Sequence, residues 1–466
     1  MIEDALDASI DLDRRVQLAI VGAGPVGITL ARELSASADV LLIESGGLKA
    51  EAPYERLNEG HVTALPYPLT ETRTRQFGGS TALWAGYCAP FDAHDFTPRP
   101  WIPSSGWPFR IDDLAPYYPQ SAALLNISDP SFDAPGVTQL AGARLPFSGP
   151  DMVPSLWRFG TPILRLNDLA GAEPAAAKGI RTLVHATVVD IRLDPHHHGV
   201  QTLVVRTLNG RAGRISADVF VLASGGIETA RLLLNADSQV PGGIGNSSGL
   251  VGGYFMEHPH LPIATVDLKP GALEGFLEVL EPSDAMLFNV GLSAGAQERH
   301  GLLNARAHVY RTPAMTMSEP PRIGMFMEQA PNPCSRLTLV PSRDAVGMRR
   351  VSLNWQLTEL EWHTYREGGA LFRDAFTQAN VGAITTIGTS HDTRLILHSN
   401  HHLGTTRMTV SPTDGVVDAN GRVHDVDNLY LMGGGVFPTV SWANPTLTLM
   451  ALTFRLADHL RHRRVE

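Results

Sequence analysis

The stretch from Gln17 to Gly47, QLAIVGAGPVGITLARELSASADVLLIESGG, constrains the fold more than any other part of the chain. A short apolar run, Leu18 to Val21, leads into a glycine turn. A segment with aliphatic residues at helical spacing follows, and then a second apolar run, Val40 to Ile43. This pattern predicts a strand, helix, strand unit. Gly22, Gly24 and Gly27 stand in the GxGxxG order, which assigns them a tight turn, close backbone approach to a pyrophosphate, and close helix-to-strand packing. The helix that starts there points unpaired N–H groups and a partial positive charge at the phosphates. Glu44 follows the second strand at the distance where a carboxylate meets a ribose. The unit therefore fits a dinucleotide; the competing reading is a glycine turn without a ligand.

With 466 residues there is enough chain for two or three domains. The net charge of -10, from 37 basic and 47 acidic side chains, argues against nucleic acid as a partner. The first ten residues are acidic where a signal peptide is basic, and no apolar run reaches the ~18 residues of a membrane span. A cytoplasmic location without membrane association is the expectation. Cys88 and Cys334 are the only cysteines, and neither sits in a CxxC pair. Residues 1 to 14 read as a loose polar lead-in and 49 to 70 as loop with a little local structure, whereas Ile111 to Leu125 reads as one helix capped near Asp112.

Two further glycine turns follow. TRTRQFGGSTALWAG, from Thr72 to Gly86, places Arg75 ahead of Gly78, Gly79 and Ser80, which offer backbone N–H groups and a hydroxyl to a phosphate or flat ring. In RISADVFVLASGGIETARLLL, a strand runs into Ala223, Ser224, Gly225 and Gly226 and then into a helix. His196, His197 and His198 cannot all face one ion from a strand, so they read as an exposed hairpin tip. Between residues 262 and 357, alternating runs separated by Gly, Pro and Asp turns predict an antiparallel sheet, and Leu360 to Gln378 a helix. A weaker helical pattern covers Asp168 to Ala177.

The basic residue, double glycine, hydroxyl residues and Trp84 of the second turn, downstream of the dinucleotide fingerprint, resemble the flavin-covering segment of the glucose-methanol-choline (GMC) oxidoreductases. Within that family the similarity is to the branch of pyranose oxidase and related sugar oxidases. GLVGGYFMEHPH, HSNHHLGTTRM, DNLYLMGGGVFPTV and SWANPTLTLMALTFRLADHL continue it in family order. The resemblance implies an α/β fold: a Rossmann-like FAD-binding domain, discontinuous over 14–100, 179–260 and 398–466, with an antiparallel-sheet substrate-binding domain and lid over 101–178 and 261–397. It implies FAD contacts at Val188 on the adenine side, at Ala223 and Gly225, and at Gly434, Pro445 and Thr446 near the ring. Pyranose oxidase attaches its flavin through a histidine; the matching position here is Leu83, which has no nucleophilic atom, so the FAD is expected to be non-covalent.

Alcohol oxidation removes a hydride from carbon and a proton from oxygen, and histidine suits the second task because its usual pKa is ~6.5. The family's base stands three positions before the glycine of HxxGT, which selects His401, with His402 the alternative if the register slips by one. The family's second active-site residue falls on Asn444, whose amide positions an oxygen without competing for its proton. Pro445 suits the first turn of the following helix. Glu257 and His258 stand as supporting groups or as a pin at the domain junction. A metal site at His398, His401 and His402 lacks a completing Asp, Glu or Cys, so no metal is expected.

The resulting expectation is FAD-dependent oxidation of a small-molecule alcohol, a sugar, glycoside or aminoglycoside-like hydroxyl, with oxygen or another acceptor taking the electrons. A sterol-like or other lipophilic alcohol and a non-catalytic dinucleotide-fold binding protein are the competing readings. A flavin reductase driven by NAD(P)H would need a second GxGxxG unit, which does not appear.

Overall fold

A computed structural model describes residues 1–128, 130, 132, 147, 149–167, 180–272, 286–311, 315–316, 318–388 and 390–463. The helical pattern at Asp168 to Ala177 lies outside them. The large sheet has eight strands. Its parallel centre is Arg14–Val21, flanked on one side by Val40–Ile43 and then Ile180–Val184, and on the other by Ala212–Leu222. Every residue of Val40–Ile43 is buried, as expected where helices and loops cover both faces of a parallel strand. Two antiparallel strands, Val200–Arg206 and Thr187–Leu193, extend the sheet beyond the first half of Ala212–Leu222. Leu429–Leu431, from the far end of the chain, lies parallel to its second half.

Two sequence expectations fail in this layer. The opening residues are not a loose lead-in: Ile2–Asp4 forms the sheet's edge strand, parallel to Ile180–Val184. Its polar side chains hid it, because an edge strand needs little apolar surface. Residues 111 to 125 do not make one helix. Pro116 and Pro119 break the run into two 3₁₀ turns followed by Tyr118–Leu124, and Asp113, not Asp112, closes the N-terminal capping box.

Six antiparallel strands form a second sheet in the order Gly382–Thr386, His260–Leu268, Arg322–Met327, Ala305–Tyr310, Met286–Leu292, Met152–Arg158. Alternation along Arg322–Met327 assigns its faces. Ile323, Met325 and Met327 pack with Trp362, Tyr365, Phe372 and Phe376 of the helix Glu359–Gln378, while Phe326 joins the core shared with the large sheet. Thr358 and Glu361 start that helix with a reciprocal capping box. The strands Arg336–Arg343 and Arg349–Asn354, expected within this sheet, instead form a separate hairpin that pairs with His61–Val62 and packs on the helix Gly225–Asn235. Period-2 alternation identifies a strand but not its neighbour.

Trp107 packs among Phe91, Phe96 and Phe437, and the Arg99 guanidinium pairs with Glu328 at 2.8 and 2.5 Å. The segment that carries Arg99 and Trp107 is thereby fastened to the second sheet. The C-terminal helix, Thr446–Arg463, packs on Pro25–Leu34 and Tyr118–Leu124. No helix among the described residues is long and apolar enough to cross a membrane. Cys88 is buried, Cys334 is exposed, and both are free thiols.

Candidate active site

Parallel strands end together, so the loops leaving them share one crevice. Backbone hydrogen bonds tie these ends to one another: Gly22 N–H donates to the Ile43 carbonyl at 2.7 Å, Ala223 N–H to Val21 at 2.7 Å and Met432 N–H to Leu222 at 3.0 Å. The cleft above them is lined by Gly22, Gly24, Glu44, Arg75, Gly79, Ser80, Val188, Ala223, Gly225, Gly434, Pro445 and Thr446, together with His401 and Asn444. Fourteen of the sixteen sequence-derived site residues thus lie on one surface. The other two, Gly27 and Gly78, do not line it. A Cβ on Gly27 would stand 1.9 Å from the Gly22 carbonyl oxygen, so this glycine permits the helix to lie against the turn. Gly78 has φ +89° and donates its N–H to the Ala23 carbonyl at 2.8 Å, joining the second glycine segment to the first.

The cleft fits a dinucleotide on its own geometry. A Cβ added to Gly24 or to Gly225 would meet nothing within 4 Å, so both glycines face open room where a diphosphate can approach main-chain N–H groups. Glu44 accepts from the N–H groups of Ala23 and Gly46, each at 2.8 Å, which aims its carboxylate at the cleft edge; burial raises its pKa. Arg75 donates to Asn58 Oδ1 at 2.8 Å and Ser45 Oγ at 3.1 Å and pairs with Glu228 at 2.5 Å. Burial alone would raise the Glu228 carboxyl, yet Arg75, Arg231 and Arg73 hold it far below its usual range. Leu83 reaches the cleft with 52% of its surface exposed. The first turn of Thr446–Arg463 opens on the same cleft through Pro445 and Thr446.

At the other end, Asn444 Nδ2 stands 3.4 Å from His401 Nε2, and Asn444 Oδ1 is buried with no partner among the described residues. His401 Nδ1 lies 2.8 Å from His258 Nδ1, and its backbone N–H donates to Glu257 Oε1 at 2.6 Å. Burial, with His258 and His402 beside it, holds the His401 imidazole well below its usual pKa, so the resting ring is neutral and one of its nitrogens carries a lone pair. His402 takes a different direction. Its Nε2 meets Thr72 Oγ1 at 3.1 Å, its ring packs near Tyr67 and Phe255, and burial and Arg73 push it down to about 3. His398 bonds Asn400 Oδ1 at 2.8 Å. No cluster among the described residues has the composition of a metal site.

Sequence reading missed Tyr67, whose hydroxyl donates to Glu257 Oε1 at 2.8 Å, and the buried group of Arg73, Arg231 and Glu228 behind Arg75. The repeated arginines of TRTRQ, opposite an acid in a helix's first turn, were the available signal for the second. Nothing in the order of the chain marks Tyr67.

The pattern that defines the GMC oxidoreductases matches residues 331–453. 6'''-Hydroxyparomomycin C oxidase of Streptomyces lividus is 28% identical, the alignment covering 96% of this chain and 92% of that one. 2-Methyl-1,2-propanediol dehydrogenase of Mycolicibacterium austroafricanum is 26% identical over 95% of each, and paromamine 6'-oxidase of Streptomyces fradiae 25% identical over 96% and 91%. Among solved structures, pyridoxine 4-oxidase from Mesorbium loti superposes with a TM-score of 0.63 at 18% identity, covering 96% of this chain and 99% of that one.

Proposed function

We propose that this chain is a GMC oxidoreductase that holds FAD non-covalently in the cleft and oxidises a hydroxyl of an aminoglycoside or similar sugar to a carbonyl. The observation that carries the reading is the approach of His401 Nε2 to Asn444 Nδ2, 3.4 Å apart on the wall of the cleft that also contains the glycine cradle. Bound FAD supplies an acceptor for the hydride leaving the carbinol carbon. The protein's own groups manage the oxygen. His401 Nε2 takes the hydroxyl proton, and Asn444 Nδ2–H donates to the same oxygen and fixes it beside the base. Asn444 Oδ1 accepts from a neighbouring hydroxyl or amine, which a polyol or amino sugar provides and a simple alkanol does not. The first turn of the helix Thr446–Arg463 turns its N–H groups to the same region and favours negative charge there.

Two relatives are named for aminoglycosides, and the chain's net charge of -10 suits a cationic sugar. The test is anaerobic bleaching of the bound flavin by a panel of amino sugars, neutral sugars, small diols and sterols, repeated with His401→Ala. Bleaching by amino sugars, slowed by ~10²-fold or more in the variant, is expected. Equal bleaching in His401→Ala overturns the assignment of the base, and a panel that responds only to sterols overturns the substrate. Flavin that stays with acid-precipitated protein overturns the non-covalent attachment.

A further inference from the structure

We propose that His258 is a positioning residue that determines which nitrogen of His401 carries the lone pair. This rests on the reading of His401 as the base, but it concerns a side chain that never touches the substrate. His258 is fully buried, and its Nε2 lies 3.1 Å from both the Val440 and the Ser441 carbonyl oxygens. Carbonyls only accept, so this nitrogen carries a hydrogen and shares it between them. A neutral imidazole has one N–H, which leaves the His258 Nδ1 as an acceptor; burial, pushing the ring down to about 4, keeps it neutral. The 2.8 Å separation from His401 Nδ1 then requires the hydrogen on His401. His401 Nε2 is left bare, on the side that faces Asn444. The opposite tautomer of His401 would set two lone pairs against each other at Nδ1.

The backbone is shaped to hold this relay. Ser441 and Asn400 have φ of +57° and +63°, uncommon for residues other than glycine, and they sit at the carbonyl pair and immediately before His401. Glu257 grips both strands of the arrangement. It accepts the backbone N–H groups of His258 at 2.8 Å, Ser399 at 3.0 Å and His401 at 2.6 Å, besides the Tyr67 hydroxyl. The His258 ring stacks on Phe326, 5.1 Å between centroids and 8° between planes, and meets the His401 ring edge-on at 87°. His258 is therefore held by two rings, with the hydrogen on its Nε2 kept between two carbonyl acceptors. When His401 gains a proton on Nε2, its Nδ1–H keeps an acceptor already in place.

The test uses holoenzyme containing histidine labelled with ¹⁵N in the ring, with His401→Gln providing the assignment by difference. His401 is expected as the Nδ1–H form, its Nε2 resonating as an unprotonated nitrogen. His258→Phe keeps a ring against Phe326 but offers no nitrogen. The His401 signal should then become a mixture of tautomers, and anaerobic flavin reduction at saturating amino sugar should slow about tenfold or more, with KM changed less than about twofold. His258→Asn, whose Oδ1 occupies the acceptor position, should recover most of the rate. An Nε2–H form of His401 in the wild-type holoenzyme overturns the proposal, as does a wild-type reduction rate in His258→Phe while His401→Ala is inactive. If His401→Ala reduces normally, the base assignment has failed, and the ¹⁵N spectrum still decides the tautomer. If His258→Phe does not fold, the wild-type spectrum and His258→Asn decide it.

Discussion

Gly24 shows what a single missing side chain provides. Its φ of -78° and ψ of -174° are ordinary extended values that any residue adopts, and an added Cβ would touch nothing. An alanine there should fold normally but occupy the room that a diphosphate needs. Gly24→Ala is expected to give wild-type circular dichroism and thermal midpoint without cofactor, with FAD affinity weakened by about tenfold or more in a fluorescence titration. Unchanged affinity would move the diphosphate elsewhere. The fingerprint glycines were legible because each has a local reason: a turn, a close approach, a packing contact. His258 was legible as a supporting group or a pin at the domain junction, but not as the partner of His401. Its partner His401 is 143 residues away, and no local spacing reports a contact across that distance.

At the scale of elements, the helix Gly225–Asn235 presents Glu228 to three arginines, two of them from the segment leading to Gly78 and Gly79. Because these groups are mostly buried in the cleft wall, removing the carboxylate leaves cations facing one another with little water between them. Glu228→Gln should lower stability by about 3 kcal/mol or more in urea unfolding. Removing the exposed pair of Arg15 and Asp218 through Arg15→Gln should leave the midpoint unchanged, because water already screens it. A loss at Glu228 no larger than at Arg15 would show that the cluster contributes nothing to holding the loop. The strand, helix, strand unit and the helix expected from Leu360 to Gln378 were readable from pattern. Pairing was not: Arg336–Arg343 and Arg349–Asn354 alternate like the strands of the six-stranded sheet but pair with His61–Val62.

Over the whole molecule, buried titrating groups set a dependence on pH. His258 and His308 are pushed down to about 4 and His402 to about 3, all chiefly by burial, while burial raises Glu257 and Glu361 to about 7. The depressed histidines stay neutral when folded but take protons when unfolded, so their contribution falls as pH drops through ~6.5. The raised carboxyls, Glu257 and Glu361 together with Glu44, act in the opposite sense, taking protons first in the folded state as pH falls. His401, also depressed, adds to the histidine side. The balance favours loss of stability on acidification, on the order of 1 kcal/mol per pH unit between about pH 6 and about pH 5, measurable as a falling midpoint in urea. A midpoint that rises over that range would mean that the carboxyls dominate.

The large sheet joins strands more than four hundred residues apart: Ile2–Asp4 forms one edge, and Leu429–Leu431 lies beside Ala212–Leu222. That layer therefore cannot close until Leu431 has been synthesised. The cleft on that layer waits for the same residues, and a nascent chain stalled before them would offer chaperones a half-built layer with open hydrogen-bonding edges.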